Sequence, residues 1–314
     1  MVLPPDPARR AAEEVYLHTV AEAAGTCHPL VVVDLVPMTT RGWRGPLVRH
    51  PLVAFVGLAY LLSWLCWLPL LASRQGWVTW PVSPYLHLAG GLGPATAAVV
   101  VTASVSGRAG VAGLLRRCVA WRGRLRWIAL AVLGPLGLFG VAVVAARLFD
   151  GEWPGLGRFG SSTEYVALPL VVYWAANVLF YGFGEEIGWR GFLQPSLQRG
   201  RSAFTAALVV ALVWAAWHVP LFGITPTYRA MPRVGFVGFF LSLLVAALLL
   251  AWLYLVSDGS ILVVAIFHAV FDIATTTPTA TTSIPTLMGA AVTIAGLATI
   301  PRLTRVPPMD ATRR

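Results

Sequence analysis

The chain has 314 residues, 57% hydrophobic and only 11% charged, with a mean hydropathy of +0.74. Soluble domains carry about 25% charged and about 45–50% apolar residues, so this composition excludes a soluble globular protein and indicates a multi-pass integral membrane protein. The formal net charge of +10 comes from arginine, with no lysine in the chain. These arginines lie mostly between apolar stretches, the pattern of membrane topology and of contact with lipid headgroups, so nucleic acid is not an expected partner. The cysteines (Cys27, Cys66 and Cys118) are far apart and form no Cys-x-x-Cys pair. Neither a disulfide framework nor a thiolate zinc site is indicated.

In chain order, residues 1–45 read as a disordered, cytosolic N-terminal tail. The segment holds Pro4, Pro5, Pro7, Glu13, Glu14, Glu22 and Asp34 and has no span-length apolar run. A short helix over 8–24 fits the pattern, and so does a translation start at Met38. The basic-then-apolar plan of a signal peptide is missing. Residues 46–302 read as one membrane domain and 303–314 as a cytosolic C-terminal tail.

Crossing the hydrocarbon core takes about 20 apolar residues in a helix. Eight candidate spans meet or approach this: 51–72, 85–106, 127–149, 163–183, 203–222, 234–257, 260–275 and 286–301. The predicted fold is therefore all-α, a polytopic bundle of about eight transmembrane helices. Lipid-exposed backbone must satisfy its own hydrogen bonds, and unbroken runs of this length do not suit barrel strands. Residues 185–198 are expected to continue the fourth span or to follow a kink at Gly182 and Gly184.

Charge orients the bundle. The connection 106–126 carries Arg108, Arg116, Arg117, Arg122, Arg124 and Arg126 without an acid, so it is expected in the cytosol. It also reads as an amphipathic piece on the membrane, with Leu114, Leu115 and Val119 toward lipid. Asp150 and Glu152 mark the next connection as external. Arg199, Arg201, Arg302 and Arg305 return to the cytosolic side, so both termini are expected inside. Arg229 and Arg233 fall on the outer side of this scheme.

The anomaly in this apolar chain is Gly184-Glu185-Glu186-Ile187-Gly188-Trp189-Arg190. Ionisable groups inside a membrane are costly and mark function by default. Neighbouring helix positions point about 100° apart, so the two glutamates have different roles. Glu186 and Arg190 share a face at i,i+4 and are expected to pair. Glu185 is left without a sequence-near partner, and a carboxylate in a dry site suits a general base for water. His218 closes a later apolar run, with Trp214 one turn earlier on the same face. His268 and Asp272 form another i,i+4 pair. Two readings of this pair stay open. In one, Glu185, His218, His268 and Asp272 form a four-ligand site for a divalent metal such as zinc. In the other, metal-free reading, His268 and Asp272 stabilise the oxyanion formed on a scissile carbonyl. A buried polar pair joining helices is the structural alternative. No His-Glu-x-x-His, no serine loop within a span, no pair of intramembrane aspartates and no phosphate-binding glycine loop is present.

Taken together, Glu185-Glu186-x-x-x-Arg190, the aromatic-x-x-x-His motif ending at His218, and His268-x-x-x-Asp272 resemble the CAAX protease and bacteriocin-processing family of intramembrane proteases. That family includes the type II CAAX prenyl endopeptidases. The resemblance runs from about residue 50 to 275 and includes Gly93-Pro94-Ala95. It implies an eight-helix fold and peptide-bond hydrolysis close to the cytosolic face, with residues 46–302 as the protease domain. By position it implies that Glu185 activates water with His218, that His268 and Asp272 stabilise the tetrahedral intermediate, and that Glu186 and Arg190 hold the site together. Two positions depart from the family: Trp214 stands where Phe is frequent, and Asp272 stands where the prenyl proteases have Asn. The implied partners are a peptide or protein substrate, with or without a lipid, and membrane lipid, in a bacterial plasma membrane. Competing readings are a non-catalytic immunity or binding protein and a proton-coupled carrier; no inverted repeat supports the carrier.

Overall fold

The computed structural model describes residues 44–229, 233–280 and 283–309. The tail reading for 1–45, with its helix over 8–24 and the start at Met38, lies outside these residues apart from its last two positions. A short helix, Arg44–Arg49, leads in. The main helices follow: α1 Pro51–Arg74, α2 Tyr85–Gly91, α3 Gly93–Cys118 and α4 Leu125–Asp150. Next comes α5, an unbroken composite of Leu170–Asn177, Val178–Phe183, Gly184–Gly188, Trp189–Leu193 and Gln194–Gln198. The chain ends with α6 Ala203–Trp217, α7 Arg233–Val256, α8 Ile261–Thr276, α9 Ile284–Leu297 and α10 Ile300–Thr304. No strand occurs among the described residues, so the all-α membrane bundle stands.

Among the described residues, six helical stretches are long and apolar enough to cross a membrane. The two expected spans outside that set are α5 and α8, and these carry the charged motifs. At 16 residues α8 is short. In α5 the α-helical repeat is interrupted by two π-helical segments, Val178–Phe183 and Trp189–Leu193. Such wide turns are rare and concentrate at functional sites. They bracket Glu185 and Glu186, which therefore lie near the middle of a continuous helix and not at its end.

Two further boundaries differ from the sequence reading. Pro169 precedes the first turn of α5, so the helix starts at Leu170 and not near 163. The span starting at 85 is broken at Leu92, and beyond Gly107, where φ is 61°, helix continues to Cys118. Leu114 in this extension is buried, not lipid-facing, whereas Leu115 and Val119 are exposed. Leu114 packs against Gly191, where a methyl group would lie 2.9 Å from its Cδ1.

The core lies where α1, α3, α5, α6, α7 and α8 meet, around Phe55, Trp67, Trp189, Trp214, Trp217 and Tyr254. The outer surface is apolar, as at Val53, Leu133, Leu148 and Val171, as expected of a surface solvated by lipid. Close helix approach depends on glycine around the glutamates. A Cβ on Gly182 would lie 2.6 Å from the Ala265 carbonyl of α8, and one on Gly188 would lie 2.5 Å from Pro94 in α3. The Gly93-Pro94 turn and the glutamate helix are thus in direct contact.

The arginine-rich segments gather at one end. Ala203 donates to the Val306 carbonyl and Met309 to that of Gln198, so 302–309 lies beside 198–203. Arg124 bonds the Ser257 carbonyl at 2.8 Å and pairs with Asp258 at 2.7 Å, which brings 118–126 to the end of α7. Asp150, Glu152 and Glu164 lie on the connection at the other ends of α4 and α5.

Candidate active site

The helices carrying the histidines are set by side-chain caps. Ser202 Oγ accepts from Thr205 N at the start of α6, and Ser260 Oγ accepts from Val263 N at the start of α8. Such caps satisfy backbone donors that a helix leaves orphaned. The last turn of α6 is pinned from α1. The Tyr60 hydroxyl donates to the Val213 carbonyl at 2.5 Å, and the Trp64 indole donates to the Trp217 carbonyl at 3.0 Å. Pro220 follows at once, so α6 ends at Trp217 with His218 as its C-cap.

Trp214 is the hub of the site. Its indole N–H donates to Glu185 Oε2 at 2.6 Å. Its carbonyl lies 2.8 Å from His218 Nδ1. A carbonyl only accepts, so Nδ1 carries a proton and the neutral ring presents its lone pair at Nε2. The Trp214 ring has His218 and His268 edge-on at centroid distances of 5.5 and 5.4 Å. The Arg190 guanidinium lies 4.9 Å from the same ring's centroid, a cation–π contact.

Glu186 holds the second half of the site. Its Oε1 accepts from Arg190 Nη1 and from His268 Nδ1, each at 2.8 Å. The i,i+4 pair is thus present, and it is fully buried. The bond to His268, 82 positions away, joins α5 to α8. His268 Nε2 is 3.7 Å from Asp272 Oδ2, too long for a hydrogen bond but close enough to orient charge. The Asp272 side chain retains 32% exposure, against 8% for His268. Glu185 Oε1 makes no hydrogen bond to protein among the described residues.

Glu185, Glu186, Arg190, Trp214, His218 and His268 are therefore drawn together around one indole, with Asp272 at the margin. A metal held by Glu185, His218, His268 and Asp272 needs at least three of them to converge at about 2.0–2.2 Å. Among the described residues no three His, Cys, Asp or Glu side chains are grouped in this way. One Glu185 oxygen is turned to Trp214, one His218 nitrogen to a carbonyl and one His268 nitrogen to Glu186. This donor set does not fit a metal as arranged, and no step below runs through one.

The structure adds a neighbouring cluster that sequence spacing did not reveal. His87 of α2 pairs with Glu164 at 2.9 Å, and the Tyr165 and Tyr181 hydroxyls are 2.9 Å apart. His87 packs against Trp67, which packs against Trp217, which packs against His218. His87 and Glu164 are 77 positions apart, so no periodicity marks them.

Comparison with known proteins falls on the same segment. The family model described as Type II CAAX prenyl endopeptidase Rce1-like matches residues 167–274. Over 121 residues the chain is 31% identical to CAAX prenyl protease 2 of Methanococcus maripaludis, covering 37% of this chain and 42% of that protein. The chain thus spans about two fifths of the length of the curated relative it matches. Every residue of the Trp214-centred site lies within 167–274, the segment that matches this family model.

Proposed function

We propose that the chain is an intramembrane endopeptidase that hydrolyses peptide bonds with a water activated by Glu185. The observation that carries this reading is the division of labour at Trp214. Glu185 is buried, fixed through Oε2 and unoccupied at Oε1, whereas Glu186 is committed to Arg190 and His268. A general base needs a positioned carboxylate with a free lone pair beside the reacting groups. Glu185 Oε1 supplies it, whereas Glu186 engages Arg190 and His268 through Oε1 and its free Oε2 is wholly buried.

In this mechanism a water sits between Glu185 Oε1 and the Nε2 lone pair of His218. Glu185 takes one proton as the oxygen adds to the scissile carbonyl carbon. The resulting oxyanion accepts from His268 Nε2–H, whose ring is held by Glu186 on one side and oriented by Asp272 on the other. An ionised Asp272 has no proton to donate, so its role is to orient His268. The C–N bond then breaks as Glu185 passes its proton to the leaving amine. The products are a carboxylic acid and an amine, and Glu185 is again ionised.

The substrate is a peptide or protein segment that reaches the site from the cytosolic leaflet or laterally between helices. The arginine-rich end of the bundle is assigned to the cytosol, where the positive-inside rule places it. A prenylated C-terminus is one candidate within this class. The test is purified protein in lipid discs, incubated with membrane-anchored peptides and read by mass spectrometry. New peptide termini support the reading. Intact peptides together with solute movement into liposomes favour the carrier, and neither activity favours the binding or immunity protein.

A further inference from the structure

On the arginine-rich side of the site, α5 buries a polar ladder that the reaction above does not use. Glu186, Arg190, Gln194 and Gln198 recur every four residues, and each is no more than 1% exposed. In a regular α-helix each four-residue step turns about 40° too far, so such a row winds around the helix. The π-helical segment Trp189–Leu193 lies inside the row and takes up that rotation. Outside the Glu186–Arg190–His268 contacts, the polar atoms of this row have no protein partner among the described residues. They are Glu186 Oε2, Arg190 Nε and Nη2, and both amide atoms of Gln194 and of Gln198. Burying unpaired amides is costly, and buried polar atoms are almost always paired with protein or ordered water. Packing alone would favour leucine, as at the adjacent buried positions Leu193 and Leu197. The row ends at the last residue of α5, next to Arg199 and the exposed Gly200.

We propose that this ladder is a water path from the arginine-rich face, past Gln198 and Gln194, to Arg190 and Glu186. It rests on the hydrolytic reading in one respect: the path supplies the water that Glu185 activates. Each turnover consumes one water, and a peptide seated on the more open Asp272 side shuts off solvent from that side. A separate polar route refills the site behind the bound substrate.

The first arm of the test needs no catalysis. Cys27, Cys66 and Cys118 are replaced by Ala, and Gln194→Cys, Gln198→Cys, Leu193→Cys and Leu197→Cys are compared in membranes with a small, water-soluble thiol reagent. Both glutamine positions should react at least about tenfold faster than both leucine positions, since the latter react only through local opening. Equal, slow reaction at Gln194→Cys and Leu193→Cys overturns the path. The second arm is kinetic: Gln194→Leu should lower kcat about tenfold with KM unchanged, with recovery in Gln194→Asn. An unchanged kcat in Gln194→Leu shows that water does not arrive this way and overturns the proposal. Wild type that cleaves nothing removes the hydrolytic reading, and the labelling arm still decides the path. Should the cysteine variants unfold, radiolytic oxidation of the unmutated chain decides. Trp189, whose indole nitrogen is buried and unpartnered beside Arg190, should oxidise faster than Trp67, equally buried but bonded to the His87 carbonyl. Equal rates overturn the path.

Discussion

The indole N–H of Trp214 points at Glu185, with Nε1 and Oε2 2.6 Å apart. This bond joins α6 to α5 and fixes one carboxylate oxygen while leaving the other unbonded. Trp214 is thus a positioning residue as well as a packing surface for two histidines. Trp214→Phe keeps an aromatic face and removes the donor together with the five-membered ring that carries it. A hydrogen bond to a charged group contributes about 1.5–3 kcal/mol, so kcat should fall about ten- to hundredfold. The same variant should keep its KM, while the smaller ring at this buried position lowers the unfolding midpoint modestly. A rise in KM with kcat unchanged would contradict the positioning role.

The proposed mechanism gives the neighbours Glu185 and Glu186 opposite duties, and stability separates them. Glu186→Gln leaves Arg190 buried and weakens the join between α5 and α8. Removing one partner of a buried ion pair costs about 3–5 kcal/mol, so this variant should unfold at markedly lower temperature or denaturant. Glu185→Gln removes a buried charge that has no cationic hydrogen-bond partner, so stability should hold or rise. Unfolding of the two variants in one detergent checks the contrast.

Asp272 is the site residue with most exposure, and His268 is its neighbour at 3.7 Å. Asn at this position donates without a proton to lose, as the resemblance to the prenyl proteases suggests. Asp272→Asn should therefore match or exceed the parent kcat, while Asp272→Ala should lose about tenfold or more. Steady-state kinetics of the three forms decide whether the residue orients the histidine or donates to the oxyanion.

Chelation addresses the donor set. No three candidate ligands are grouped among the described residues, so cleavage should survive prolonged dialysis against a strong divalent chelator. Loss of cleavage on chelation, with recovery on adding zinc, would mean that the site rearranges into a ligand set.

Local features were legible in the sequence, and contacts across helices were not. The all-α membrane bundle follows from unbroken apolar runs, and the Glu186–Arg190 pair from its four-residue spacing. The Trp214 bond to Glu185 and the His268 bond to Glu186 cross between helices, and no spacing rule reaches 29 or 82 positions. Leu114 reads as lipid-facing because its segment has the pattern of a surface helix; the tertiary contact with Gly191 buries it. The two π-helical segments of α5 had only glycines as a signal, and those glycines equally suggest a kink. Nothing in the spacing of Gln194 and Gln198 marks them as buried, because the helices that cover them are distant in sequence.

The most direct test of the account is the cleavage rate of Glu185→Gln in a preparation that unfolds at the same temperature as the wild type. The account predicts that the wild type cleaves and the variant loses at least about a hundredfold in kcat, within the range of a missing general base. A folded Glu185→Gln protein that cleaves at the wild-type rate would contradict it.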